Sequence, residues 1–230
     1  MIFISQKRLQ TIVWNKKRKR RSSYKKIKQR KIRRTLILLG GAVSLLAFFI
    51  VTYLREIHEQ QVENQGEEVG IIVDLLTINP YSRPGILREK TNGIVIHYVG
   101  NPNSSAKQNR DYFEGLKNTQ ETKASAHFIV GLDGEIVQCI PSKEVAYASN
   151  SRNWDTIAIE VCHPDETGKF NEKTYKSLVK LTAWMANKYQ ISNKNIIRHY
   201  DVTGKLCPKY YVEYEDAWKQ LKKDIDNARQ

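Results

Sequence analysis

Twenty consecutive residues without a charge, Thr35 to Leu54, constrain this 230-residue chain more than any other feature. A helix of about 20 apolar residues covers the ~30 Å hydrocarbon core of a bilayer. A helix of that length in a soluble core carries a polar face, and this run has none. It reads as a transmembrane helix, and it divides the chain. Residues 1–34 form a basic segment, 35–54 the span, 55–70 a polar stalk, and 71–230 a folded domain. A cleaved signal peptide is the rival reading. It would need a shorter apolar region and a small-x-small exit, whereas this run leaves through Phe-Ile-Val-Thr-Tyr-Leu-Arg. The run therefore reads as a retained anchor.

Charge follows the same division. The formal net charge of +14 looks like a nucleic-acid signal. Of the 38 Lys and Arg, however, 15 precede residue 35, where no acidic residue occurs. That leaves 23 against 24 Asp and Glu in the remainder. The folded part is close to neutral, so no nucleic-acid partner is expected. Beyond the span, residues 55–69 set Arg55 against Glu56, Glu59, Glu63, Glu67 and Glu68. Lys/Arg bias sets orientation, so the N-terminus is expected in the cytoplasm and the domain outside. The basic block can also meet anionic headgroups.

Residues 71–230 alternate strand-like and helix-like runs, which indicates a single α/β domain. Ile94 to Val99 is apolar except for His97, as in a strand covered on both faces. A helix is expected over 104–118, with Ser105 as its N-cap. Two strand-like runs, 125–130 and 135–140, flank Asp133-Gly134, a hairpin signal. In the strand 156–162, Ile157, Ile159 and Val161 share one face; Ala158, Glu160 and Cys162 share the other. Asn171 starts a helix running to about Tyr189, with Tyr175, Leu178, Thr182, Met185 and Tyr189 in one stripe. A short strand covers 196–198, and a last helix is expected over 212–228. Residues 79–85 hold two prolines and turn residues, so they read as an irregular arm.

Chemistry gathers at strand ends. His97 and His199 each follow an apolar strand, and sheets of this class collect functional groups there. Cys207 lies eight residues after His199, on a loop containing Gly204 and closed by Pro208. Two imidazoles and a thiolate make three protein ligands. Zinc so held keeps its fourth position for water, the arrangement of catalytic rather than structural zinc. One Zn2+ per chain is expected. Glu160 is the only charge in an apolar strand, which makes it the candidate general base. Lys205 stands two residues before Cys207 and can hold an oxyanion. Tyr98 is a candidate for substrate contact, and His127 reads equally as a substrate contact, a support for a metal ligand or a structural residue. His163 is expected in a turn with Pro164 and Asp165. Cys139 and Cys162 read as buried small hydrophobes or as a disulfide pair.

These segments resemble the zinc-dependent N-acetylmuramoyl-L-alanine amidases, a family similar to peptidoglycan-recognition domains and phage amidase lysozymes. The resemblance covers residues 72–222. It rests on Gly93-Ile94-Val95-Ile96-His97-Tyr98, Ala126-His127-Phe128-Ile129-Val130-Gly131 with Asp133-Gly134, Asn153 through Glu160, Arg198-His199-Tyr200-Asp201, and Lys205-Leu206-Cys207-Pro208. It implies a central mixed sheet flanked by helices, with zinc on His97, His199 and Cys207 and catalytic roles for Glu160 and Lys205. It also implies cleavage of the amide joining the muramoyl lactyl group to L-alanine. Peptidoglycan is the expected partner, and a bacterial cell membrane with the domain facing the wall is the expected location. Two positions depart from the pattern. Ala126 stands where phage members often have Tyr, and Ala146-Tyr147-Ala148 lacks the His of many members. Both place more weight on Glu160 and Lys205. Two other functions fit parts of the sequence: a peptidoglycan-binding module that does not cleave, and a cysteine hydrolase using Cys207 with His199 or His97.

Overall fold

The structure, a computed structural model, describes residues 6–229, without the side chains of 6–13, 21–22, 27, 30, 32, 34–35, 38–39, 42 and 58–68. His58 therefore lies among the undescribed side chains, with most of the expected stalk. The chain divides into two compact units, Met1–His58 and Glu59–Gln230.

Helix α1 covers Gln6–Val69, and its residues 6–58 form the described part of the first unit. Its described apolar side chains between Leu36 and Leu54 are exposed on every side, with Leu36, Ile37, Val43, Phe48 and Phe49 each above 60%. The transmembrane helix expected over 35–54 is not identified as such. Among the described residues no helix is long and apolar enough to cross a membrane. Thr35, Leu38, Leu39 and Ala42 of that stretch lie outside the described side chains.

The second unit is a six-stranded mixed sheet covered by helices on both faces, as the sequence implied. In chain order it comprises β1 (Ile71–Val73), β2 (Gly93–Ile96), α2 (Ala106–Thr119), β3 (Phe128–Val130), β4 (Ile136–Gln138), β5 (Thr156–Val161), α3 (Glu172–Lys188), β6 (Ile196–Arg198), α4 (His199–Thr203), α5 (Lys209–Glu213) and α6 (Glu215–Asn227). The strand order is β1-β4-β3-β5-β2-β6. Only the β3–β4 hairpin is antiparallel. Gly93 allows β2 to start against β6: a Cβ there would meet the Asn195 carbonyl at 2.8 Å.

The alternation along β5 separates two cores. Ile157, Ile159 and Val161 join Ile94, Ile96, Leu178, Leu181, Met185, Trp218, Leu221 and Ile225 beneath α3 and α6. Ala158 and Cys162 join Phe113, Leu116, Ile129 and Cys139 beneath α2. Truncating a fully buried leucine such as Leu178 would cost about 2–5 kcal/mol. The expected caps are present. Ser105 accepts from the Gln108 amide while Gln108 returns a bond to the Ser105 amide. Asn171 accepts from the Thr174 amide at 3.0 Å.

Three details differ from expectation or resolve it. The last helix is two, because Tyr214 leaves helical geometry (φ −116°, ψ 84°) and Glu215 and Asp216 start α6 anew. Cys139 and Cys162 are free and buried, so they fill the second core as small hydrophobes. The arm holds a side-chain-capped turn, Asn79 Oδ1 accepting from the amides of Tyr81 and Ser82.

Candidate active site

Strand register assembles the site. β2 lies between β5 and β6, and all three run parallel, with Ile96 level with both Ile159 and Arg198. One residue further along, Glu160, His97 and His199 stand in a row at the carboxyl ends of the strands. The His97 and His199 ring centroids are 4.6 Å apart, and His97 Nδ1 lies 4.0 Å from Glu160 Oε1. Alternation along β5 turns Glu160 away from the face of Ile159 and Val161 and onto the face of Ala158.

The third candidate ligand, Cys207, arrives through a loop. α4 carries His199 as its first residue and ends at Gly204, whose φ of +77° reverses the chain. The Tyr200 amide donates to the Cys207 carbonyl at 2.9 Å, drawing the loop back on itself. Cys207 Sγ then sits 3.9 Å from His97 Nδ1. Arg198 anchors the start of α4. Its guanidinium donates to Asp201 and Glu215 and to the Tyr211 carbonyl.

The donor set suits a metal ion. Ligand atoms of His97, His199 and Cys207 all lie within 4.8 Å of one another, and all three residues are buried. Burial, the other imidazole and the Lys205 charge hold His97 well below the usual histidine range. Burial and Lys205 also lower His199. Both rings are thus neutral, the form that ligates. Burial and the charge of Glu160 push the Cys207 thiol up to about 12. Such a thiol is a poor free nucleophile, which argues against the cysteine hydrolase. A divalent cation would favour its thiolate.

Glu160 has the setting of a general base. It is largely buried, with 16% of its side chain exposed. Burial pushes it up to about 8, against the pull of Lys205. Its Oε2 has no hydrogen-bond partner among the described residues. A buried carboxyl oxygen without a partner is costly to keep. Lys205 is exposed at the rim, and its charge is felt by His97, His199 and Glu160.

The two candidates for substrate contact separate. Tyr98 is half-buried beside His97, and its ring packs on His163 at 5.0 Å. His127 is not brought to the opening. It is 1% exposed, its Nδ1 accepts from the Ala158 amide and its Nε2 meets the Glu144 carbonyl, both at 2.9 Å. It is a structural cross-link. His163 lies in the expected turn, its Nδ1 2.7 Å from the Asp165 carbonyl. Sequence reasoning missed Ser149 and Asn150, whose side chains meet the imidazoles of His97 and His199 at 3.1 Å. Their only signal is a run of turn-forming residues, Ser149-Asn150-Ser151, before β5.

Residues 87–210 match the family described as N-acetylmuramoyl-L-alanine amidase (Amidase_2). The chain is 32% identical over 172 residues to the N-acetylmuramoyl-L-alanine amidase CwlL of Bacillus licheniformis, covering 69% of this chain and 47% of that protein. It is 30% identical over 157 residues to the amidase XlyA of Bacillus subtilis (strain 168), covering 66% and 50%. It thus spans about half the length of the curated relatives it matches. The solved catalytic domain of XlyA superposes with a TM-score of 0.57 at 26% identity, covering 67% of this chain and 98% of that domain. The fold, the row of residues across β5, β2 and β6, and the matched segment agree: the chain belongs to the N-acetylmuramoyl-L-alanine amidase family.

Proposed function

We propose that this protein is a zinc-dependent peptidoglycan hydrolase, cleaving the amide between N-acetylmuramic acid and L-alanine. The observation that carries the reading is the convergence of His97, His199 and Cys207 within 4.8 Å, beside a Glu160 oxygen without a partner. When bound, zinc lowers the pKa of a coordinated water from ~15.7 towards ~7 and polarises a carbonyl. His97, His199 and Cys207 would hold it. Glu160 takes the proton of the attacking water and passes it to the departing amine of L-alanine, the usual work of a carboxylate whose affinity for protons lies near neutrality. Lys205 places its ammonium against the oxyanion that develops on the scissile carbonyl. Tyr98 touches substrate beside His97. The present thiol, and a base in reach of the ligands, favour this reading over a module that binds without cleaving.

The membrane anchor belongs to the same proposal. Apolar side chains exposed all round a helix are expensive in water and at home in lipid. Ser44 Oγ donates to the Gly40 carbonyl and Thr52 Oγ1 to the Phe49 carbonyl, both at 2.9 Å. That spares lipid two unsatisfied hydroxyls. With 15 cations before the run and a net −4 just after it, residues 1–34 are cytoplasmic and the catalytic unit faces the wall.

Mass spectrometry of peptidoglycan digested by the purified chain tests the chemistry. Release of peptides with a free L-alanine amine, abolished by a chelator and restored by zinc, is expected; intact muropeptides would contradict it. Protease added to wall-stripped cells tests the topology. It should digest the catalytic unit and spare an N-terminal tag. A protected catalytic unit would contradict the orientation.

A further inference from the structure

The ligand imidazoles are held from behind by two consecutive residues. His97 Nε2 lies 3.1 Å from Ser149 Oγ, and His199 Nε2 lies 3.1 Å from Asn150 Oδ1. Neither residue belongs to the ligand set, and neither is one of the proposed acid–base groups.

We infer that Ser149 and Asn150 are positioning residues that fix which nitrogen of each ligand imidazole faces the metal. The inference rests on the proposed zinc reading. An amide oxygen only accepts, so His199 Nε2 carries the ring proton, and Nδ1 keeps its lone pair. The Ser149 hydroxyl can accept from His97 Nε2 in the same way. His97 Nδ1 is then the unprotonated nitrogen, and it is the one facing Cys207 Sγ at 3.9 Å and Glu160 Oε1 at 4.0 Å. Nδ1 is then the nitrogen that each ring has left for a metal. Without these bonds each ring could take the other tautomer or turn about χ2, and would have to be reset on binding.

The turn that presents the two residues is itself held. Asn153 Oδ1 accepts from the amides of Ala148 at 3.0 Å and Ser149 at 2.5 Å. Asn150 sits at φ +52°, a left-handed conformation that asparagine tolerates better than most residues. Ser149 is 1% exposed, so its hydroxyl has no competing solvent. The short 3₁₀ turn Asn150–Trp154 packs on α4, the element that starts with His199. One turn thus serves both histidines.

The test measures zinc affinity of the full-length chain by competition with a chromophoric chelator, so that catalysis is not the readout. Asn150→Gly removes the side chain without straining the left-handed backbone, and Ser149→Ala removes only the hydroxyl. Loss of such partners typically weakens metal binding ~10–100-fold, and each variant should fall in that range. Asn150→Asp and Ser149→Thr restore an oxygen in place and should recover most of the loss. Deletion variants within about twofold of the parent would overturn the inference. So would rescue variants as weak as the deletions, since that would mark a general loosening of the turn. Should Asn150→Gly fail to fold, the Ser149 pair decides alone. A parent chain without measurable zinc affinity would instead overturn the metal reading itself.

Discussion

His97 and His127 are both buried imidazoles at strand ends, and the molecule treats them in opposite ways. The hydrogen-bonding atoms of the His127 ring are both engaged. Its two nitrogens meet the Ala158 amide and the Glu144 carbonyl. The Glu144 carboxylate takes a two-pronged pair from Arg83 at 2.8 and 2.9 Å. Around His97 the same residue types are left short. Nδ1 faces a thiol and a carboxyl group at 3.9 and 4.0 Å, and Glu160 Oε2 has no hydrogen-bond partner among the described residues. Burial makes unpaired polar groups expensive. His127 has both nitrogens engaged, whereas His97 keeps Nδ1 turned towards Cys207 and Glu160, the arrangement that the proposed metal would complete. Histidine and glutamate do not announce function by type; the difference lies in whether their valences are already filled.

The comparison breaks most readily at Glu160. Replacing it with Gln should lower kcat by roughly 10²–10⁴, as for a lost general base. Zinc content should be retained and the melting temperature unchanged or raised, because no partner is lost. An activity change under about threefold, or a clear fall in melting temperature, would show that Glu160 belongs to the satisfied kind.

The satisfied region should give the reverse result. Arg83→Ala leaves Glu144 charged in a place where each partner is only 12–13% exposed. Breaking such a pair costs about 3–5 kcal/mol, measurable by denaturant unfolding. Zinc affinity and the remaining specific activity at low temperature should be unchanged. A loss of activity without a loss of stability would erase the contrast between the regions.

A smaller effect sharpens the account at the arm. Glu114 accepts from the Thr77 amide and hydroxyl at 2.9 and 2.6 Å and from Lys117 at 2.5 Å. Partial burial opposes its ionisation, but these donors outweigh burial and hold it down to about 2, against an ordinary 4.5. Its folded form is the stronger acid, so its stabilisation is full above about 4.5 and is lost as pH falls towards about 2. Glu114→Gln should therefore lower the melting temperature near neutrality and match the parent near pH 2. A difference independent of pH would exclude the charge as its cause.

Much of this was legible in the sequence because it depends on local pattern. Period-two alternation placed Glu160 on the opposite face from Ile159. Asn171, Ser105 and Asp133-Gly134 marked their caps and turn through side-chain chemistry that acts within a few residues. The row Glu160–His97–His199 was not legible, because adjacency across β5, β2 and β6 is a matter of register between distant segments. For the same reason the sequence left His127 open between substrate contact, ligand support and a structural role: its partners, Ala158 and Glu144, are 31 and 17 residues away. Ser149 and Asn150 lie in an irregular turn, where no periodicity reports which way a side chain points. The break at Tyr214 was hidden because the apolar spacing of α6 continues smoothly through it.

The central claim is that the unfilled valences at His97, His199 and Cys207 are completed by one zinc ion. Metal analysis of the purified full-length chain tests it most directly, alongside His97→Ala, His199→Ala, Cys207→Ala and, as the contrasting region, His127→Gln. The account predicts about one zinc per parent chain, loss of it in each of the first three variants, and retention in His127→Gln. Full zinc retention in any two of the three ligand variants, or a parent free of zinc after growth with the metal, would contradict it.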